Sequence, residues 1–204
     1  MEAAVRPNPF SDVLQFLIKP AWFTVVFWLL LIASIWLARS AWTRDGSQRG
    51  GYHLGRWLLR LLVGAMWWQQ SLWKIPPNFD GLIYWMRQEV DHASFALQSD
   101  FVGGIVLPNI PLFGPLVYAI EVAIGVSLML GVWSRGGAVL GALMAINLWL
   151  GLYSAPGEWP WTYMFLIIIQ ALFVLDPPGR SLGVDALLRG RRGRDLGVLT
   201  SALS

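Results

Sequence analysis

The residue best suited by its type and position to do chemistry is a single carboxylate inside an apolar run. Glu121 lies near the middle of residues 112–133. If that run crosses a membrane, an ionisable group there costs about 2.5 to 3.5 kcal/mol unless it faces protein or water. We therefore expect Glu121 to face the interior of a helix bundle and to act as a proton acceptor. Tyr118 lies one helical turn earlier and is placed to hydrogen-bond to the acid.

Further residues on three other apolar runs would complete a site around this acid, and they are Trp67, Gln70, Asn147 and Gln170. A quinone headgroup needs hydrogen-bond donors, an apolar sleeve for its tail and a nearby acid, and this set supplies those features. The alternative is structural, because polar contacts between membrane helices are common although each contributes only about 0.6 kcal/mol on average. Trp67 likewise either packs on a ring-shaped ligand or fills space between helices. The sequence leaves both interpretations open.

Residue types that are missing or rare exclude several kinds of redox site. The chain has no cysteine, so it supplies no disulfide, no thiolate metal ligand and no iron–sulfur cluster. Its two histidines, His53 and His92, are predicted to lie in loops, which argues against a haem held by paired histidines within the membrane. Asp91 and His92 have no third ligand at a suitable spacing, so no metal site is predicted. No covalent cofactor is expected, and a quinone is the candidate ligand.

The elements that must position these residues are membrane helices. The chain of 204 residues is 56% hydrophobic and only 13% charged, whereas a soluble domain carries roughly 25% charged residues. Apolar runs with helical length predict an all-α integral membrane protein with five spans, at residues 21–38, 56–75, 112–133, 137–153 and 161–175. The turn SRGG between the third and fourth spans predicts an antiparallel hairpin.

The charged connections fix a single orientation. Four arginines lie between Arg39 and Arg56, one at Arg135, and five follow Pro178, so these three segments are predicted to be cytoplasmic. The opposite connections are mainly acidic. The N-terminus is then outside, the C-terminus is inside, and the protein is a multi-pass protein of the cell inner membrane. The net charge of +3 comes from these arginines, so nucleic acid is not an expected partner.

The outer segment, residues 76–111, is predicted to contain a short helix at the membrane interface. After Asp80, apolar side chains recur at helical intervals and share a stripe with one acid, namely Leu82, Trp85, Met86, Glu89 and Val90. This helix is expected to cover the outer mouth of the bundle, with gating of a site as the alternative role.

Two other groups of residues have structural interpretations. Arg60 and Lys74, near opposite ends of the second span, are interpreted as residues whose charged groups reach the two headgroup regions. Gly137, Gly141 and Ala145 form a face of small residues, which predicts close helix packing.

The stretch FVGGIVLPNIPLFGPLVYAIEVAIGVSLMLGVWSRGGAVLGALMAINLWLGLY and the later GRSLGVDALL resemble the DoxX family of small membrane proteins, nearest its DoxD branch. The matching features are the acid at Glu121, the pair Asn147 and Trp149, and the pattern Gly179, Arg180, Gly183 and Asp185. The resemblance covers residues 55–188 and implies a four-helix core. The DoxD branch is known as the membrane subunit of a thiosulfate:quinone oxidoreductase that works with a second subunit.

The resemblance implies three parts of the chain. Residues 1–54 hold an added N-terminal helix and an arginine-rich loop, residues 55–188 form the DoxX-like domain, and residues 189–204 form a basic tail expected to contact anionic lipid. Residues 179–185 are interpreted as a turn and cap on the inner face. The implied function is a membrane subunit of a quinone-linked oxidoreductase, not catalytic alone, with a protein partner. The alternative is a noncatalytic accessory subunit packed against a larger respiratory or photosynthetic complex.

Overall fold

The computed structural model describes residues 8–191, and within that part of the chain every regular element is helical and none is a strand. The α-helices are α1 (Pro9–Ile18), α2 (Trp22–Arg44), α3 (Gly51–Ser71), α4 (Asp80–His92), α5 (Ala96–Phe101), α6 (Ile110–Leu130), α7 (Ser134–Gly151), α8 (Pro160–Leu175) and α9 (Val184–Arg191). The all-α prediction is confirmed for the described residues. Most of the basic tail, residues 192–204, lies outside them.

Two stretches are long and apolar enough to cross a membrane. They are α2, with 23 residues, and the continuous helical stretch Ala96–Leu130, with 35 residues. In the most apolar 18 residues of each stretch, only 22% and 33% respectively are buried within the protein, so most of this apolar surface faces outward. α8 is also apolar but has only 16 residues.

α3 and α6 approach each other closely through a pair of glycines. A Cβ atom on Gly64 would lie 2.8 Å from the backbone nitrogen of Met129, and one on Gly125 would lie 3.0 Å from the backbone nitrogen of Trp68. Both contacts are to backbone, which cannot move aside as a flexible side chain can. This contact fixes the position of α3 along the axis of α6.

α7 packs between α6 and α8 through its small residues. Gly137 lies against Ser127 of α6, and Gly141 lies against Gln170 of α8. Ala145 has no exposed surface. The small-residue face therefore packs against other helices, as predicted.

The connection between α6 and α7 differs from the prediction. The SRGG segment forms the first turn of α7, and the chain reverses one step earlier, at residues 131–133. Gly131 has a φ of 66°, a left-handed conformation that glycine adopts readily. The hairpin itself is present, because α6 and α7 pack together.

A buried carboxylate closes this end of the helices. Asp185 has no exposed surface and accepts hydrogen bonds from the backbone N–H groups of Trp133 (2.9 Å) and Ser134 (3.0 Å) and from the Ser134 hydroxyl (2.8 Å). These donors lie at the N-terminus of α7, where a negative charge is favourable. The cap predicted for residues 179–185 is confirmed.

Arg60 corrects one prediction. Its side chain does not reach a headgroup region, because it has no exposed surface and its Nη1 donates to the backbone carbonyls of Leu128 and Met129. These carbonyls belong to the last turn of α6, where the regular hydrogen bonds between residues four apart come to an end. Arg60 therefore caps the C-terminus of α6.

α2 attaches to these helices through two hydrogen bonds at Ser34. The Ser34 hydroxyl donates to the carbonyl of Met129 (2.6 Å), and Trp57 Nε1 donates to Ser34 Oγ (3.1 Å). The opposite face of α2 exposes large apolar side chains, namely Val25, Trp28, Leu29, Ile32, Ile35 and Trp36. α2 therefore has one packed edge and one broad, mostly exposed apolar face, on which Trp28 Nε1 donates a hydrogen bond to the carbonyl of Leu17 in α1 (2.9 Å).

Several boundaries differ from the sequence prediction. α2 continues to Arg44, six residues past the predicted end. α1 and α5 were not predicted, because both are short, with 10 and 6 residues. Pro108 and Pro111 each lie in the first turn of a helical segment, where a missing N–H group costs little. The predicted short outer helix is present as α4.

The glycine contact between α3 and α6 yields a matched pair of variants. Gly64→Ala places a methyl group against the Met129 backbone, and we expect it to lower the free energy of unfolding by about 2 kcal/mol or more. Gly55→Ala, on the same helix, meets nothing within 4 Å and is expected to be neutral or slightly stabilising. Thermal unfolding in detergent measures both, and equal effects would contradict the packing described here.

Candidate functional site

A cavity of about 590 Å³ lies at one end of the helices. At this end, here called the cavity end, α3 and α7 finish while α6 and α8 begin. α4 and residues 101–106 cover it. Its walls are mostly apolar, and its lining residues are Met66, Trp67, Gln70, Trp73, Lys74, Leu82, Trp85, Met86, Glu89, Phe101, Val102, Val106, Phe113, Val117, Glu121, Met144, Asn147, Leu148, Leu152, Glu158, Thr162, Tyr163 and Leu166.

An ion pair is buried in the wall of this cavity. Lys74 Nζ lies 2.5 Å from Glu121 Oε1 and 2.6 Å from Oε2. Lys74 is 6% exposed and Glu121 is 2% exposed. Lys74 Nζ also lies 4.3 Å from the ring centroid of Trp73, a distance at which a cation is attracted to the aromatic face. A bidentate, nearly dry ion pair therefore borders an apolar cavity.

This pair corrects two predictions. Lys74 does not extend to a headgroup region, because α3 ends at Ser71 and the short helical turn Leu72–Lys74 directs the lysine toward α6. Both carboxylate oxygens of Glu121 accept a hydrogen bond from Lys74 Nζ, rather than from the hydroxyl group of Tyr118. Tyr118 is half-buried and is not among the cavity-lining residues.

A second acid, Glu89 of α4, lines the same cavity. It is 7% exposed, and the side-chain amides of Asn147 and Gln98 hydrogen-bond to it. Burial raises the pKa of Glu89 to about 7, although these hydrogen bonds and the charge of Lys74 act in the opposite direction. Glu89 therefore changes its protonation state near neutral pH.

Contacts from α5, from α7 and from the loop after α7 set the position of Glu89. Gln98 Nε2 donates to the Oδ1 atom of Asn147 (3.1 Å) and to its backbone carbonyl (3.0 Å), which connects the α5 helix to α7. A Cβ atom on Gly151 would lie 2.9 Å from Glu89 Cγ, so only glycine leaves room for the acid there. The Ser154 hydroxyl donates to the carbonyl of His92 and secures the end of α4.

The remaining polar groups of the cavity form two local contacts. The Tyr163 hydroxyl donates to Glu158 Oε2 (2.7 Å), and Trp73 Nε1 donates to Gln70 Oε1 (3.3 Å). Trp67 also lines the cavity, and its buried Nε1 has no hydrogen-bond partner among the described residues. The cavity therefore contains amide, ammonium and carboxyl groups on apolar walls.

The structure brings together four of the six residues predicted for the site. Trp67, Gln70, Glu121 and Asn147 all line the cavity. Gln170 does not, although it shares a face of α8 with Tyr163, because seven residues correspond to about 10 Å along the helix. Its amide is buried against Gly141 instead.

Lys74 and Glu89 are the two site residues that the sequence interpretation missed. Glu89 shared an apolar stripe with Leu82 and Met86, and an acid on such a stripe was a usable signal for a buried carboxyl. Lys74 gave no such signal, because its partner lies 47 residues away in sequence. Among the described residues, no group of three histidine, aspartate or glutamate side chains is arranged to hold a metal ion.

The buried ion pair can be tested by removing one charge and then both. Lys74→Met leaves the Glu121 carboxylate without a partner, and we expect the free energy of unfolding to fall by about 3 kcal/mol or more. The double variant Lys74→Met/Glu121→Gln removes both charges and is expected to recover most of that loss. Thermal unfolding in detergent measures both variants, and a stable single variant would show that the pair is not formed.

The pKa of Glu89 predicts a pH-dependent stability. Its folded pKa of about 7 lies above the ordinary value of 4.5, so the stability it contributes is present at low pH and is lost as the pH rises through 7. At pH 8, Glu89→Gln is expected to be more stable than the native chain by on the order of 3 kcal/mol. At pH 5 this gain should fall below about 1 kcal/mol.

The matched control for this measurement is Asp91→Asn, on the same helix but exposed. Its effect on unfolding should be small at both pH values. If Glu89→Gln changes stability equally at pH 5 and pH 8, the carboxyl of Glu89 is hydrated rather than buried.

No protein-family model, no curated protein and no solved structure matches this chain. The similarity to the DoxX family therefore stays a prediction from the residues quoted above.

Proposed function

We propose that this chain is the integral membrane subunit of a quinone-linked oxidoreductase, similar to DoxD, and that the cavity binds the quinone headgroup. In this proposal α3, α6, α7 and α8 are the DoxX-like four-helix core, and α2 is the added N-terminal span. A partner subunit carries the oxidation of thiosulfate or a similar donor. The observation that carries the proposal is the Lys74–Glu121 ion pair in the wall of an apolar cavity.

Membrane embedding is supported by the distribution of apolar and charged side chains. The broad apolar face of α2 is mostly exposed in the described part of the chain, and the hydrocarbon core of a lipid bilayer would cover its apolar side chains favourably. Arg44, Arg49 and Arg56 all lie near the end opposite the cavity. The positive-inside rule then puts that end in the cytoplasm and the cavity toward the outside.

The ion pair favours a ligand role over a purely structural one. Burial of two charges costs several kcal/mol per ion, and replacement by packed apolar side chains is often neutral or stabilising. A pair used only to hold α3 to α6 would add little, because the glycine contact already joins these helices. A buried ion pair in the wall of a cavity is instead placed to hydrogen-bond to a polar group of a ligand that enters the cavity.

The residues present fit a quinone. The cavity volume falls within the range of about 300 to 1,000 Å³ that is typical of small-molecule sites. Lys74 and the amide of Gln70 are donors for ring carbonyl oxygens, and Trp67 offers an aromatic surface for the ring. Apolar side chains between α4 and α6 suit an isoprenoid tail, namely Leu82, Met86, Val106, Phe113 and Val117.

The chemistry divides between the two subunits. A bound quinone accepts the electrons that the donor releases, and this chain binds and orients it. Lys74 donates a hydrogen bond to a ring oxygen while Glu121 holds the lysine in place. Glu121 accepts and returns a proton at its carboxylate oxygens, which lie 2.5 and 2.6 Å from Lys74 Nζ. The surrounding apolar walls keep water from competing for these bonds.

One observation favours the alternative, an accessory subunit of a larger respiratory or photosynthetic complex. The exposed face of α2 includes Trp28 and Trp36, and aromatic side chains are enriched in contacts between proteins. In that role the outward face of α2 would lie against another membrane protein. The two proposals differ in whether the cavity takes a ligand.

The proposal is tested on the complex purified gently from its native membrane. We expect the chain to copurify with a partner subunit and to support thiosulfate-dependent reduction of a quinone with a decyl tail. Glu121→Gln is expected to lower this rate at least tenfold while the complex stays assembled, because the proton acceptor is lost. Tyr118→Phe, on the same helix but outside the cavity, is the matched control and should retain the native rate.

Two results would reject the proposal. If the chain is recovered in stoichiometric amounts in a large complex that has no such activity, the accessory role is supported. If Glu121→Gln reduces the quinone at the native rate, this acid has no part in the chemistry.

A further inference from the structure

Two carboxyl groups with different surroundings line the same cavity. Glu121 lies beside Lys74, which neutralises its charge. Glu89 lies on α4 and is held by neutral amides from Asn147 and Gln98. The proposed chemistry uses Glu121 and leaves Glu89 without a role, although burying an acid there makes the folded protein less stable above neutral pH.

We propose that Glu89 is a second proton-transferring residue, which in its protonated form donates a hydrogen bond to the bound ring and exchanges that proton with water at the cavity end. This inference rests on the proposed function, because it takes a quinone as the ligand. It adds to that function the direction of proton uptake, because the proton would enter from the side of the membrane that the cavity faces.

The proton count of the reaction matches two proton-carrying sites in the cavity, Glu89 and the Lys74–Glu121 pair. Reduction of a quinone to the quinol consumes two electrons and two protons. The electrons come from two thiosulfate ions, which join through a new S–S bond at the partner subunit. The two protons go to the two ring oxygens. Glu89 in its protonated form supplies one proton, and the Lys74–Glu121 pair, which holds its proton on the lysine, supplies the other. Each site then regains a proton from water at the cavity end.

The position of Glu89 suits proton exchange with the outside. It lies in the last turn of α4, a helix outside the spans of the bundle, and Asp91 two residues later is exposed. The C-terminal end of a helix carries partial negative charge, which favours the protonated form of an acid there. Glu89 itself is buried and lines the cavity, two residues from the exposed Asp91.

Other charged and titratable groups face the same space. Lys74 comes from the end of α3 and Glu121 from α6, and their charges cancel within one contact. Glu158 lies before α8, and the hydroxyl group of Tyr163 in α8 donates a hydrogen bond to that carboxylate. Glu89 has no such partner and receives only amide hydrogen bonds. Glu89 is therefore an acid of the cavity whose hydrogen-bond partners are neutral amides rather than a cation or a hydroxyl group.

Burial supports this role, because it raises the pKa of Glu89 to about 7. Near neutral pH both the protonated and the ionised form of the carboxyl group are then populated, which suits a residue that must both give and take a proton.

The test measures binding of a decyl-tailed quinone to the purified protein in detergent, by quenching of tryptophan fluorescence from pH 5.5 to 8.5. The native chain should bind about tenfold more weakly at pH 8 than at pH 6, because the hydrogen-bond donor is lost as Glu89 ionises. Glu89→Gln keeps a neutral donor and should bind with no pH dependence. Asp91→Asn, the exposed neighbour, should keep the native pH dependence.

A second measurement needs no variant. If binding selects the protonated form of Glu89, the native protein should take up nearly one proton per quinone bound at pH 8 and very few at pH 6, measured with an indicator dye in weak buffer. No uptake at pH 8 overturns the role of Glu89, as does a pH dependence that persists in Glu89→Gln. Failure of the native chain to bind the quinone at any pH instead rejects the proposed function itself.

Discussion

The ion pair between Lys74 and Glu121 is the interaction on which the rest of the cavity end depends. Two charges with almost no exposed surface are tolerated only because each satisfies the other at 2.5 to 2.6 Å. The pair in turn requires α3 to end at Ser71, so that the lysine can reach α6. It also requires the close contact at Gly64, which sets the position of α3 along α6 so that Lys74 lies beside Glu121.

The two ends of the helices differ in how their backbone N–H and C=O groups are paired and covered. At the end opposite the cavity, Asp185 caps the start of α7 and Arg60 caps the end of α6, so the space between the helices is closed. At the cavity end, α4 and residues 101–106 cover the helices without filling the space between them. The closed end supports the fold, and the cavity that remains at the other end is the part of the molecule suited to a ligand.

Within the cavity, two acids have different surroundings and therefore different behaviour. Glu121 has a cation at hydrogen-bond distance, whereas Glu89 has only amide donors and apolar neighbours. Pairs of titratable groups whose environments differ in this way commonly divide acid and base roles between them. Here the division follows from which helix carries each acid, because α6 faces the end of α3 and α4 faces α5 and α7.

The sequence by itself determined the helical fold, the burial of Glu121 and the cap at Asp185, because these follow from apolar runs, the cost of a buried charge and local turn chemistry. It also placed Glu89 on an apolar stripe. The partner of Glu121, the enclosure of Glu89 and the displacement of Gln170 from the cavity were decided only by tertiary structure. Each of these depends on how far one helix is shifted along another, and the periodicity of a single helix carries no information about that shift. Contacts between residues distant in sequence set it, and the approach of Gly64 to Met129 is the clearest of them.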